Sequence, residues 1–344
     1  MNKKIFIIIG TIIIVLIFLI LILFVILDNK NPTGNIDFSM TPSNNTNTLN
    51  TNKTEEPTNP EEPTNPEEPS DNREPINGEI EYVTTEDGGQ IPVPPTFSYV
   101  EGGANTGAVI KDKDGNEFVW IPVNDFNSYH RQMFLNNGIK EKNNSSKEGT
   151  DLSEFKEMNS YKEEFDDSVR NYYGFYVARY EAGKTTINGE NYAISKPGLL
   201  PWTQITWQKA KNVSTQMYVE NNYFTTDLIN SYAWDTICNW LSDTGTNIDY
   251  SVEYGNYKNS SNGLNKIVET ASNERWKTNN IYDMAGNAWE YTTEETGKQD
   301  EIKHIGRGGG YNTGGDTYPI SSRATSEEDS PNIAISFRVV MYLK

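Results

Sequence analysis

Residues 5–27 are apolar without a break except for Gly10 and Thr11, and this run dictates how the rest of the chain can be disposed. At about 1.5 Å per residue in a helix it reaches roughly 35 Å, enough to cross a bilayer with some tilt. Lys3 and Lys4 precede it, and Asp28 and Lys30 follow. The positive-inside tendency then keeps residues 1–4 in the cytoplasm and places everything after the run outside. Phe24-Val25-Ile26-Leu27 offers no small-residue cleavage site, so the run is read as an uncleaved anchor. The expectation is a single-pass protein of the cell membrane whose C-terminal domain is extracytoplasmic.

Residues 28–77 change character. Asn, Thr, Ser, Pro and Glu dominate, and Glu55-Glu56-Pro57-Thr58-Asn59-Pro60 repeats as Glu61-Glu62-Pro63-Thr64-Asn65-Pro66. Proline at every third position denies helix and sheet their hydrogen bonds and favours extended polyproline II. A disordered, charge-stiffened stalk is expected. Residues 53–81 carry ten acids against Lys53 and Arg73, so much of the formal charge of −19 sits there. That charge disfavours nucleic acid as a partner.

Residues 78–344 are left to fold. Strand signals lie at 117–123, 174–180 and 336–343, each a β-branched and aromatic run. Helices are expected at 206–213, with Thr206 as N-cap, and at 231–241, where Trp234, Ile237, Cys238 and Leu241 share a face. Asn-, Gly- and Ser-rich stretches at 245–265 and 306–317 read as long ordered loops, so the fold class is α+β with much irregular structure. Loops of that length call for a staple or a bound ion. Cys238 is the only cysteine, so no disulfide supplies it; on an apolar helical face it reads as a small buried hydrophobe. His130 and His304 are the only imidazoles, which leaves little for a zinc site or a Ser-His-Asp triad.

One segment carries candidate metal chemistry. In Asn280-Ile281-Tyr282-Asp283-Met284-Ala285-Gly286-Asn287-Ala288-Trp289-Glu290-Tyr291, two carboxylates bracket a Gly-Asn turn. Asp283 and Glu290, with the carbonyls of Gly286 and Ala288, form an all-oxygen set of the kind calcium takes. The alternative is a plain turn before a strand, with Trp289 in the core and both acids solvated.

Taken in order, Phe118–Val123, Phe175–Glu181, Ile205–Ala210, the helix around Trp234, Asn280–Tyr291, Arg307–Tyr311, Ser321–Arg323 and Ser336–Arg338 resemble the formylglycine-generating enzyme (sulfatase-modifying factor) family. The resemblance spans roughly residues 95–344 and implies that family's variant of the C-type lectin fold. It also implies a calcium ion at Asp283, Gly286, Ala288 and Glu290. The family's enzymes oxidise a substrate cysteine with copper held by two cysteines. Here the first falls on Thr313 and the second near Tyr318, while the family's serine falls on Gly310. Cu(I) needs thiolates, so no copper is expected and the chain leans away from being an enzyme. What remains is a surface binding module for a glycan or protein ligand, with Tyr311, Asn312, Asp316 and Tyr318 as candidate contacts. An oxidoreductase of altered chemistry and an accessory structural protein of the envelope stand as alternatives.

Overall fold

The computed structural model describes residues 78–134, 152, 155–158, 163–219, 221–296, 302–327 and 331–344. The expected anchor (5–27) and stalk (28–77) lie outside these residues. The chain divides after Ser70, and every described residue belongs to the unit 71–344. Among the described residues no helix is long and apolar enough to cross a membrane.

The strands, in chain order, are β1 (Glu81–Thr84), β2 (Gln90–Val93), β3 (Phe97–Glu101), β4 (Val109–Asp112), β5 (Glu117–Pro122) and β6 (Phe155–Glu157). Then come β7 (Gly174–Ala178), β8 (Gly183–Ile187), β9 (Glu190–Ile194), β10 (Phe224–Leu228), β11 (Lys277–Thr278) and β12 (Ile281–Tyr282). The last five are β13 (Trp289–Thr296), β14 (Lys303–Arg307), β15 (Arg323–Glu327), β16 (Ile335–Phe337) and β17 (Val339–Leu343). Three helices accompany them: α1 (Glu163–Tyr172), α2 (Trp207–Thr215) and α3 (Ser231–Asp243).

A six-stranded antiparallel sheet runs β10-β17-β7-β5-β4-β3. Its central strands read as continuous apolar runs because both faces are covered. Phe118, Trp120, Tyr176, Ala178, Val339 and Met341 alternate with Val119, Ile121, Phe175, Val177, Val340 and Tyr342, and the two sets enter separate cores. The first core receives Trp207, Ala210 and Val213 from α2; the second receives Phe165 and Val169 from α1 and the apolar face of α3. Thr206 caps α2 by accepting from the Lys209 N–H at 3.2 Å, and Asn230 caps α3 by accepting from the Ala233 N–H at 2.8 Å. Cys238 is fully buried in α3, and burial pushes its thiol well above the usual range.

The second sheet has β13 at its centre, in the order β15-β14-β13-β16, with β6 pairing the far end of β13. β13 and β16 are parallel, and the other pairs are antiparallel. Here the structure departs from the sequence: the single strand expected at 336–343 is broken at Arg338, and its halves join different sheets. Arg338 occupies the break because its guanidinium, fully buried, serves both sheets. It donates to Ala178 O at 3.0 Å in β7, to Tyr282 O at 2.9 Å in β12, and to both carboxylate oxygens of Glu290 in β13.

A buried charge network ties α3 to the second sheet. Asp235 accepts from Arg307 at 2.7 Å and from Arg323 at 2.6 Å, and Arg323 also donates to Glu294 at 2.8 Å. Arg131 closes the network on Glu294 at 2.9 Å.

Candidate functional site

The segment 279–291 folds as a chain of left-handed turns. Asn279, Asn280, Asp283, Gly286 and Asn287 all have positive φ, which explains why Asn, Asp and Gly stand there. Neighbouring backbone holds the turns: the Gly286 N–H donates to Gly308 O, and the Asn287 N–H to Asn256 O. The loop glycines permit this closeness. A Cβ on Gly308 would sit 2.9 Å from Met284 O, and one on Gly309 only 2.3 Å from Tyr318 O.

The segment is a turn before a strand with Trp289 buried, as the plainer alternative has it, but Asp283 and Glu290 are both buried rather than solvated. Glu290 is engaged through both oxygens by Arg338, at 2.9 Å to Oε2 and 2.6 Å to Oε1. Asp283 is different. Its Oδ2 accepts from the Ala271 N–H at 3.2 Å, while Oδ1 is buried without a partner. Burial pushes its carboxyl up to about 7. A third acid, Glu181, completes the group, accepting from the Asn287 amide at 2.5 Å and from the Ala288 N–H at 2.9 Å. Burial, with the charges of Asp283 and Glu290 added, raises the Glu181 carboxyl well above the usual range. Arg338 is the cation facing all three acids.

Among the described residues no three His, Cys, Asp or Glu side chains are grouped so as to hold a metal by themselves. A hard cation at this place would therefore draw on main-chain oxygens as well, as the set Asp283, Gly286, Ala288 and Glu290 requires. The fit is good at Asp283, whose orphaned oxygen lacks a partner, and poorer at Glu290, where a cation would share the carboxylate with Arg338.

A cleft of about 280 Å³ opens beside Trp289 on one face of the second sheet. Gly306 and Ala324, direct partners across β14 and β15, line it, as do Trp289 and Ile335, partners across β13 and β16. Ala334 adds to its apolar part, and Asn312, Thr313, Tyr318, Thr325, Ser326 and Asn332 supply its polar groups. The Tyr318 ring meets Trp289 edge to face, with centroids 5.4 Å apart. Two of the four candidate ligand contacts, Asn312 and Tyr318, are thus brought together. Tyr311 and Asp316 are not part of the lining. Thr313 is committed to its turn: its hydroxyl donates to Gly310 O at 2.9 Å and accepts from the Gly310 N–H at 3.0 Å.

Sequence reasoning missed Glu181, Asn332, Ala324 and Gly306. Glu181 closed a quoted motif, but its partners lie more than a hundred residues further on. Gly306 and Ala324 reach the cleft through strand pairing, and Asn332 through the loop that leads into β16.

No curated protein sequence matches the chain. Among solved structures, PvdO from Pseudomonas aeruginosa is 16% identical, with a TM-score of 0.41 over 68% of this chain and 98% of its own. CarF is 14% identical, with a TM-score of 0.38 over 50% of this chain and 87% of its own. Treponema denticola variable protein 1 is 12% identical, with a TM-score of 0.28 over 72% of this chain and 99% of its own. These likenesses are loose. The family match is not: the sulfatase-modifying factor enzyme 1-like domain aligns with residues 119–343, which take in the second sheet, four of the six strands of the first, the buried acids and the cleft. The chain belongs to the sulfatase-modifying factor enzyme 1-like domain family.

Proposed function

We propose that this is a non-catalytic binding protein, anchored through residues 5–27, whose family domain is carried outside the membrane on the stalk 28–77 and offers its cleft to a ligand. The observation that carries this reading is the chemistry of the cleft lining. Among the described residues that line it there is no cysteine, histidine, acid or base. Thr313, where the family resemblance puts a copper-binding cysteine, spends its hydroxyl on Gly310. Amides, aliphatic hydroxyls and aromatic faces bind well but include no thiolate to hold copper and no His, Asp, Glu or Lys to act as a general base, and Tyr318 is the one lining side chain of a general acid–base type. Calcium at Asp283, Gly286, Ala288 and Glu290 belongs to the same proposal as a structural ion beneath the loops.

The test uses the full-length chain in a detergent without a sugar headgroup. One arm supplies copper and a cysteine-bearing sulfatase peptide; no aldehyde is expected, and turnover would overturn the non-catalytic reading. The other arm labels tryptophan with fluorine, assigns the Trp289 resonance by Trp289→Phe, and titrates glycan and peptide panels. A shift at Trp289 supports the binding cleft, and silence across both panels refutes it.

A further inference from the structure

We propose that the cleft takes an uncharged pyranose unit of a glycan, a reading that rests on the binding function above and narrows its ligand. The volume of about 280 Å³ lies near the low end of small-molecule pockets, roughly 300–1,000 Å³, which suits one ring rather than an extended chain. The lining is amphipathic and uncharged. Its apolar part combines residues with little or no side chain, Gly306, Ala324 and Ala334, with the Trp289 indole and Ile335. Its polar part consists of amides and hydroxyls from Asn312, Tyr318, Thr325, Ser326 and Asn332.

A pyranose has the matching character, with a face of C–H bonds and a rim of hydroxyls that both donate and accept. Carboxamides answer such hydroxyls because they also donate and accept. Asn332 Oδ1 accepts from the Ala334 N–H at 2.8 Å, which orients the amide and leaves its NH₂ as a donor. Asn312 is exposed at the cleft mouth. A charged ligand would be desolvated without a counter-charge among these residues, which is costly. A peptide is the competing ligand, because β15 is an edge strand and an edge can accept a further strand. The lining, however, is built mainly from side chains on the sheet face, and the Gly306 and Trp289 contributions lie one and two strands inside that edge.

The cleft can be filled without touching backbone geometry. A Cβ added at Gly306 meets Trp289 Cβ at 3.7 Å and Ala324 O at 3.8 Å, which is ordinary contact. The experiment titrates the full-length chain, in the same detergent, with methyl glucoside, N-acetylglucosamine, glucosamine, glucuronate and a tetra-alanine peptide. Binding is read from the Trp289 fluorine resonance and by calorimetry. The two neutral sugars are expected to bind best, and Gly306→Val to weaken them by about tenfold or more at an unchanged melting temperature. Ala324→Leu and Asn312→Ala serve as independent variants should Gly306→Val fold poorly. Preference for glucosamine or glucuronate would overturn the uncharged-ligand assignment. Neutral-sugar binding that all three variants leave intact would overturn the location. Peptide binding alone would refute the glycan while sparing the binding cleft, and no response to any probe would count against both.

Discussion

The imidazole of His304 lies flat on the indole of Trp207, with ring centroids 3.8 Å apart and planes 3° from parallel. Trp207 is fixed by its own Nε1–H, which donates to Thr292 O at 2.8 Å in β13. His304 is buried, and neither ring nitrogen has a partner. Burial lowers its pKa from 6.5 to about 4. The fold therefore keeps the neutral ring. Its contribution is fully present above about pH 6.5 and is lost as the pH falls toward 4. Wild type should lose melting temperature across that window more steeply than His304→Phe, which keeps the stack and removes the titration. Parallel melting curves for the two proteins between pH 7 and pH 4 would contradict this.

Asp235 carries two guanidiniums with its two oxygens, in a place without solvent. Asp235→Asn preserves shape but leaves Arg307 and Arg323 with Glu294 as their remaining buried acid. Removing one partner of a buried ionic group is expected to cost about 3–5 kcal/mol. Urea unfolding of the variant gives the number, and a loss below about 1 kcal/mol, the range of a surface ion pair, would show the network to be dispensable.

Calcium should raise the melting temperature of the wild-type protein above its value in chelator. At a free concentration of about 100 times Kd the gain is roughly 2.7 kcal/mol. Asp283 has φ +58, a conformation glycine adopts readily, so Asp283→Gly removes the carboxylate without straining the turn. The variant should melt at the same temperature in calcium and in chelator. Identical wild-type melts in the two conditions would remove the ion from this site.

Gly309 has φ +75, and a Cβ there would lie 2.3 Å from Tyr318 O and 2.6 Å from the Tyr257 ring. Gly309→Ala should destabilise by more than about 1 kcal/mol. It should also displace Tyr318 from Trp289, so ligand affinity at the cleft falls with stability. A variant as stable as wild type would mean the loop relaxes more easily than its contacts imply.

What was legible in the sequence was mostly local. β5 and β7 stood out because burial on both faces removes the polar alternation that would blur them. α2 was marked by its Thr206 cap. α1 was missed because only Phe165, Ser168 and Val169 of its ten residues are buried, and an acidic first turn hides them. The signature at 280–291 was legible as a turn-rich acidic segment because left-handed backbone selects Asn, Asp and Gly. Its third acid was not, because Glu181 meets Asn287 only after the chain has folded. The cleft was half legible for the same reason. Asn312 and Tyr318 came from a loop whose composition invited attention, whereas Gly306 and Ala324 are ordinary residues until strand pairing brings them together, and Asn332 until the loop before β16 folds beside them. Tyr311 and Asp316 shared that composition without sharing the place.

The break at Arg338 gives residues 335–343 a role in the timing of assembly. β16 completes one sheet and β17 lies between β7 and β10 in the other, so neither sheet closes until this segment has emerged. A nonsense codon or proteolytic nick just before residue 335 would then remove a strand from each sheet in one stroke, leaving Glu290 buried without its cation.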